Sequence, residues 1–225
     1  MHDIQDPTTR PDSRWRLLLA LGGALMALGG PMHPESDAAD SLRDELATMT
    51  ASDAWVLSHS LVVAGTVLLA AGLWGAYRSR SWPDSTRTPL RLAALAFSAY
   101  VVETVAHLAA VIDSDALAAG DPAPIAFTHI GLALLLYPLS GAAFAWLGVH
   151  VVRAVALPEK LFGVVAVVAG TLHAVVIPLL LLFPDLELTP VFATSGMLIA
   201  GWSLGTGITG MRTRTPSVRA AVRPA

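Results

Sequence analysis

The chain has 225 residues, of which 54% are hydrophobic and 14% charged, with no cysteine and a formal net charge of -3. Soluble domains carry about 25% charged residues, so this balance marks an integral membrane protein, and the missing cysteines exclude disulfides, thiolate metal sites, CxxC redox motifs and a cysteine nucleophile. The near-neutral charge, with no basic patch interleaved with aromatics, excludes nucleic acid as a partner and leaves the lipid bilayer as the one partner that composition demands.

Residues 1–14 read as a polar cytoplasmic tail that contains His2. Six apolar segments follow, at 15–32, 55–77, 89–112, 124–152, 161–183 and 190–211, most of them near the ~20 residues that a ~30 Å hydrocarbon core requires. Arg14 and Arg16 give the first the flank of a secretory leader, but no small-residue cleavage site follows, and Pro31 and Pro34 crowd its place, so it reads as an anchor. Ser41 stands three residues before Asp44, and Leu42, Leu46 and Met49 recur at helical spacing, so a short amphipathic helix is expected on the outer surface, where it can act as a lid. Ser52 and Asp53 can cap the second span, Pro124 can open the fourth, and Thr189 with Pro190 fits the cap and first turn of the sixth. Pro138 and Pro178 interrupt the fourth and fifth spans. The pairs Gly22–Gly23 and Gly29–Gly30, and Gly201 with Gly205, suit close helix packing. Residues 212–225 read as a second cytoplasmic tail, which leaves 15–211 as the membrane domain.

Orientation follows from lysine and arginine. Arg10, Arg14 and Arg16 precede span one, Arg78, Arg80, Arg87 and Arg91 lie between or at the ends of spans two and three, Arg153 and Lys160 lie between four and five, and Arg212, Arg214, Arg219 and Arg223 follow six. The alternate loops hold Arg43 alone against Glu35, Asp37, Asp40, Asp44, Glu45, Asp53, Asp113, Asp115, Asp121, Asp185 and Glu187. The fold expected is therefore all-α and polytopic, in the plasma membrane, with both termini cytoplasmic and a central four-helix bundle of spans two to five. A short internal repeat supports that bundle: Ser58–His59 and Thr128–His129 open spans two and four, which end near Trp74 and Trp146, and Thr104 and Thr171 precede His107 and His173 in spans three and five.

Titratable groups inside a membrane are functional candidates. His59 and His129 stand ~7 Å inside the outer ends of their spans, His107 ~8 Å, and His173 and Glu103 ~15 Å, at 1.5 Å per residue. The five share one leaflet although their helices alternate in direction, and Glu103 is the one carboxylate within the spans as drawn. Asp113 can orient an imidazole from the outer boundary, His33 with Met26 and Met32 can join a soft rim, and His150 lies at the wrong end. His59, His107, His129 and Glu103 are the expected metal ligands, His173 a further cofactor contact, and zinc, copper or iron the metals that imidazole and carboxylate suit.

A diagonal histidine pair could instead ligate a b-type haem, and histidines can serve as polar glue between helices. A four-helix core whose helices donate histidines resembles the plan of di-haem membrane cytochromes of the b561 type, which implies haem. The resemblance covers that plan alone, and those proteins place haems on both faces, whereas one leaflet here has room for one. The chain also lacks HExxH, GxSxG, a P-loop and GxGxxG. The leading function is an outward-facing metal or haem site for redox chemistry or electron transfer, with a quinone, lipid or redox partner at the outer face. The alternatives are a zinc-dependent lipid hydrolase with Glu103 as catalytic base, a proton-coupled transporter using Glu103 and His107, and an assembly subunit without chemistry.

Overall fold

A computed structural model describes residues 13–34, 41–155, 159–183, 186 and 188–212. The tail histidine His2, Arg10, the loop acids Glu35, Asp37, Asp40, Asp185 and Glu187, and Arg214, Arg219 and Arg223 lie outside the described residues.

The described residues are helical, with no strand among them. The helices are α1 (Arg14–Gly29), α2 (Leu42–Thr50), α3 (Ala54–Ser79), α4 (Arg87–Ala109), α5 (Ser114–Ala119), α6 (Pro124–Ala154), α7 (Glu159–Leu182) and α8 (Thr189–Arg212). Tight turns at Gly30–Met32 and Ala110–Asp113 prolong α1 and α4. Six of these helices are long and apolar enough to cross a membrane, and they coincide with the six segments read from sequence. Leu17, Leu28, Val102, Leu135, Leu139 and Leu161 point outward and exposed, as on a helix whose solvent on the far side is lipid.

The ends form largely as their residues dictate. Ser41 caps α2 by accepting from the Asp44 N–H at 3.3 Å while its hydroxyl donates to the Asp44 carboxylate at 2.6 Å. Leu46 is the buried position of that amphipathic helix. Ser52, not Asp53, supplies the cap of α3, accepting from the Ala54 N–H at 3.3 Å. Helix α8 begins at Thr189 itself, one residue earlier than expected, because the Leu188 carbonyl already takes the N–H groups of Val191 and Phe192. Both α6 and α7 run on through Pro138 and Pro178.

Each long helix packs on its neighbours in sequence, and α8 returns to α1, so the six close a ring. The expected four-helix core is not set apart: α1 and α8 lie between α3 and α7 and bury Trp15, Leu19, Ile199 and Trp202. Ser203 on α8 ties the closure by donating to the Leu19 carbonyl at 2.7 Å. The repeat does not extend to environment, since Trp74 donates to Ser98 at 3.0 Å while Trp146 is 41% exposed beside His150. Gly22 and Gly23 meet the backbones of α3 and α8, whereas Gly201 faces open space.

A close backbone seam joins α6 and α7. A Cβ on Gly141 would overlap the backbone of Ala174, and one on Gly170 the backbone of Ala145, so the two helices touch main chain to main chain there. Gly141→Leu is expected to force them apart and lower stability by about 1–3 kcal/mol, the usual cost of overpacking. Thermal unfolding in detergent checks this, and a variant as stable as the parent would contradict the contact.

Candidate metal centre

The end of the bundle that carries α2 and α5 is tied by specific polar contacts. Arg43 on α2 donates to the Asp121 carbonyl at 2.8 Å and lies over the Phe127 ring. Thr50 donates to Ser114 at 3.2 Å, joining α2 to α5. The Trp55 indole N–H donates to the Leu108 carbonyl at 3.2 Å, which fixes the end of α4 beside α3. Asp113 closes the arrangement: one carboxylate oxygen accepts from the N–H groups of Ile125 at 2.6 Å and Ala126 at 3.0 Å. Those are first-turn amides of α6, where unsatisfied N–H groups favour a carboxylate. Asp113 therefore does not orient an imidazole, as expected from sequence, but caps α6 one turn before His129.

Beneath this cover five donors converge. His59 comes from α3, Glu103 and His107 from α4, His129 from α6, and His33 from the residue after the turn that ends α1. A Cβ on Gly29 would stand 2.7 Å from the Ser58 carbonyl, so the missing side chain is what lets that turn lie against α3 beside His59. Ring centroids are 4.9 Å apart for His33 and His59, 4.4 Å for His59 and His107, and 3.9 Å for His107 and His129. The nearer Glu103 oxygen is 2.9 Å from His129 Nδ1 and 4.0 Å from His107 Nδ1. Trp55 stacks on His59 at 3.9 Å and forms one wall.

The hydrogen bonds fix which nitrogens are free. His59 Nδ1 lies 2.7 Å from the Trp55 carbonyl, which can only accept, so Nδ1 carries the proton and Nε2 keeps a bare lone pair. His33 is held likewise, its Nδ1 2.8 Å from the Pro34 carbonyl. Carbonyls that orient imidazoles from behind in this way are the usual support of metal-binding histidines. Burial holds the His33 imidazole below its ordinary pKa, against the opposing pull of the Pro34 bond and with a smaller lowering contribution from His129. It is thus neutral at pH 7, the form a metal requires.

Glu103 is fully buried. His59 Nε2, His129 Nδ1 and both Glu103 oxygens have no aligned hydrogen-bond partner; the Glu103–His129 approach of 2.9 Å is close but lies off the direction of a ring N–H. About nine in ten buried polar groups are paired in folded proteins; with Glu103 and His129 already 2.9 Å apart, His59 Nε2 and the second Glu103 oxygen are the unanswered atoms of the cluster.

The donors fall into two overlapping triads, His33–His59–His107 and Glu103–His107–His129, within each of which the ligand atoms lie within 4.8 Å of one another. All five do not form one such group. Of the four donors expected from sequence, the structure gathers all into the cluster but divides them between the triads. His173 joins neither: it is buried further along the bundle, stacked on Tyr137 at 4.4 Å and edge-on to Tyr100 at 5.2 Å. His33, expected only at the rim of the site with Met26 and Met32, is a member of the first triad. Met26 is packed in the main core, and His150 lies at the far end of α6, against Trp146.

Comparison with known protein families, with curated proteins and with solved structures finds no match to this chain.

Asp113→Ala leaves a buried and a part-buried amide of α6 without their acceptor and is expected to cost about 1–3 kcal/mol, with Asp113→Asn costing less. Chemical denaturation in detergent measures the difference, and equal stability of all three proteins would remove Asp113 from the frame of the site.

Proposed function

We propose that this chain is a multi-pass metalloprotein of the cell membrane that binds one divalent first-row transition ion between His33, His59 and His107, with the α2–α5 end facing outward. The single observation that carries this reading is that His33, His59 and His107 each offer a ligand atom within 4.8 Å of the others, with the buried His59 Nε2 unpartnered. Three neutral imidazoles suit zinc, copper, iron or nickel. The orientation rests on charge: Arg78, Arg80, Arg87, Arg91, Arg153 and Lys160 lie at the end away from the site, and Asp44, Glu45, Asp53, Asp113, Asp115 and Asp121 at the site's end.

Ring geometry favours that triad over Glu103–His107–His129. The planes of His33, His59 and His107 are inclined at 55 to 67° to one another, fanned so that their lone pairs can meet at one ion. His107 and His129 are stacked at 19°, and no ion lies in both of two parallel ring planes. The same packing disfavours the haem reading for His59 with His129, because His107 occupies the space between them in contact with both.

Electron transfer is a second reading, favoured by one feature. A row of rings runs from His33 through Phe192, Tyr137, Tyr100, Phe97, Phe144 and Trp202 to Trp82, each centroid within 6.3 Å of the next. Copper or iron in the site would give that row a redox terminus, whereas zinc has no redox chemistry.

Elemental analysis of the purified protein after reconstitution with zinc, copper or iron tests the reading. One ion per chain is expected, with His33→Ala, His59→Ala and His107→Ala each weakening binding by more than the ~10–100-fold that loss of an orienting partner brings. His173→Ala is expected to keep the ion. Parent protein that takes up none of these metals would overturn the proposal.

A further inference from the structure

Resting on that metal reading, we infer that Glu103 and His129 stand outside the coordination sphere as the proton-handling pair for a metal-bound water, and that the site hydrolyses the acyl linkage of a membrane lipid. Three protein ligands are the pattern of catalytic zinc, which leaves a position for water, and bound water becomes a nucleophile near neutral pH. The five donors form two triads rather than one group, and the stacked planes of His107 and His129 keep one ion from serving both. Glu103 is the group left over with basic character and nothing aligned to neutralise it. It reaches one ligand of the triad, His107, at 4.0 Å, and backs onto His129 at 2.9 Å. A general base must stand within reach of the water it deprotonates, directly or through one water, and a carboxylate one helical turn from a ligand on the same helix is so placed.

Depth points to the substrate. Helix α3 has 26 residues, ~39 Å at 1.5 Å per residue, close to the ~40–45 Å of a bilayer with its headgroups. The headgroup layer on each side is then ~5–7 Å thick around a ~30 Å core. His59 is five residues inside the helix, ~7.5 Å, at the level where headgroup gives way to chain. That is where a lipid carries its ester or amide carbonyl. His33 and His107 are only partly buried, so the triad is open on this side, whereas Glu103 and His129 behind it are buried.

In the step so assigned, the water oxygen bonds to the acyl carbon as its proton passes to Glu103. The acyl carbon–oxygen bond of an ester, or carbon–nitrogen bond of an amide, then breaks, and the proton returns through Glu103 or His129 to the leaving atom. One water is consumed, a fatty acid and an alcohol or amine are released, and no electron is transferred.

The test uses full-length zinc-loaded protein in nanodiscs of phosphatidylcholine, with or without ceramide, and reads fatty-acid release by mass spectrometry together with bound zinc. The parent is expected to hold one zinc and release fatty acid, from phosphatidylcholine if esters are the substrate and only with ceramide if amides are. Glu103→Gln is expected to keep its zinc and lose about 10²–10⁴-fold in rate, and His129→Gln to keep zinc and lose at least tenfold. Loss of zinc from Glu103→Gln would make Glu103 a ligand and overturn the inference while sparing the metal reading. Zinc-bound parent that cleaves neither lipid would also overturn it, and parent without metal would overturn both.

Discussion

Unpaired lone pairs in a low-dielectric interior are the constraint on which this structure turns. A buried carboxylate or imidazole without a partner costs several kcal/mol unless a proton, a cation or a donor meets it. Here the donors do not point at one another with aligned hydrogen bonds; His59 and Glu103 both turn free lone pairs into the interior. A cation held by the His33–His59–His107 triad answers the His59 lone pair directly, and Glu103 and His129 stand next to it as a pair 2.9 Å apart. That arrangement favours a metal over polar glue: glue would show each imidazole paired on both nitrogens, and only the carbonyl-held Nδ1 atoms of His33 and His59 behave so.

The fold produces this convergence by bringing helices of opposite direction to one depth. His59 and His129 sit in the second turns of α3 and α6, and His107 in the last turn of α4. Their registers are fixed by different interactions: the Trp55 indole on the Leu108 carbonyl, the Asp113 carboxylate on the α6 amides, and the packing of Gly29 against Ser58. Each is local to the site's end of the bundle, while the opposite half is held by apolar and aromatic packing from Phe97 and Phe144 to Trp202 and Trp82.

Much of the fold was legible in the sequence because a membrane reduces the problem to length and hydropathy, and the six spans follow from those. The cap at Ser41 was legible too, since capping is local chemistry. What stayed hidden required knowledge of neighbours. Asp113 reads equally well as an orienter of histidine or as a cap until α6 is seen to place two amides 12 and 13 residues away against it. His33 lies in a polar connection, and nothing in its spacing says that the turn after α1 folds back on α3. The closure of α8 onto α1 joins the two ends of the sequence, so no local pattern marks it. In the site, depth along each helix brought His59, His107, His129 and Glu103 to one band, but which of them face one ion depends on ring planes that only tertiary packing sets.

The account stands or falls on the ligand set, and X-ray absorption at the metal edge reads it most directly. Zinc-loaded protein is expected to show three imidazoles at ~2.0–2.1 Å with a light oxygen ligand completing four-coordination, and to lose one imidazole on His33→Ala. Fewer than three imidazoles in the parent, or sulfur from Met26 or Met32 in the shell, would contradict it.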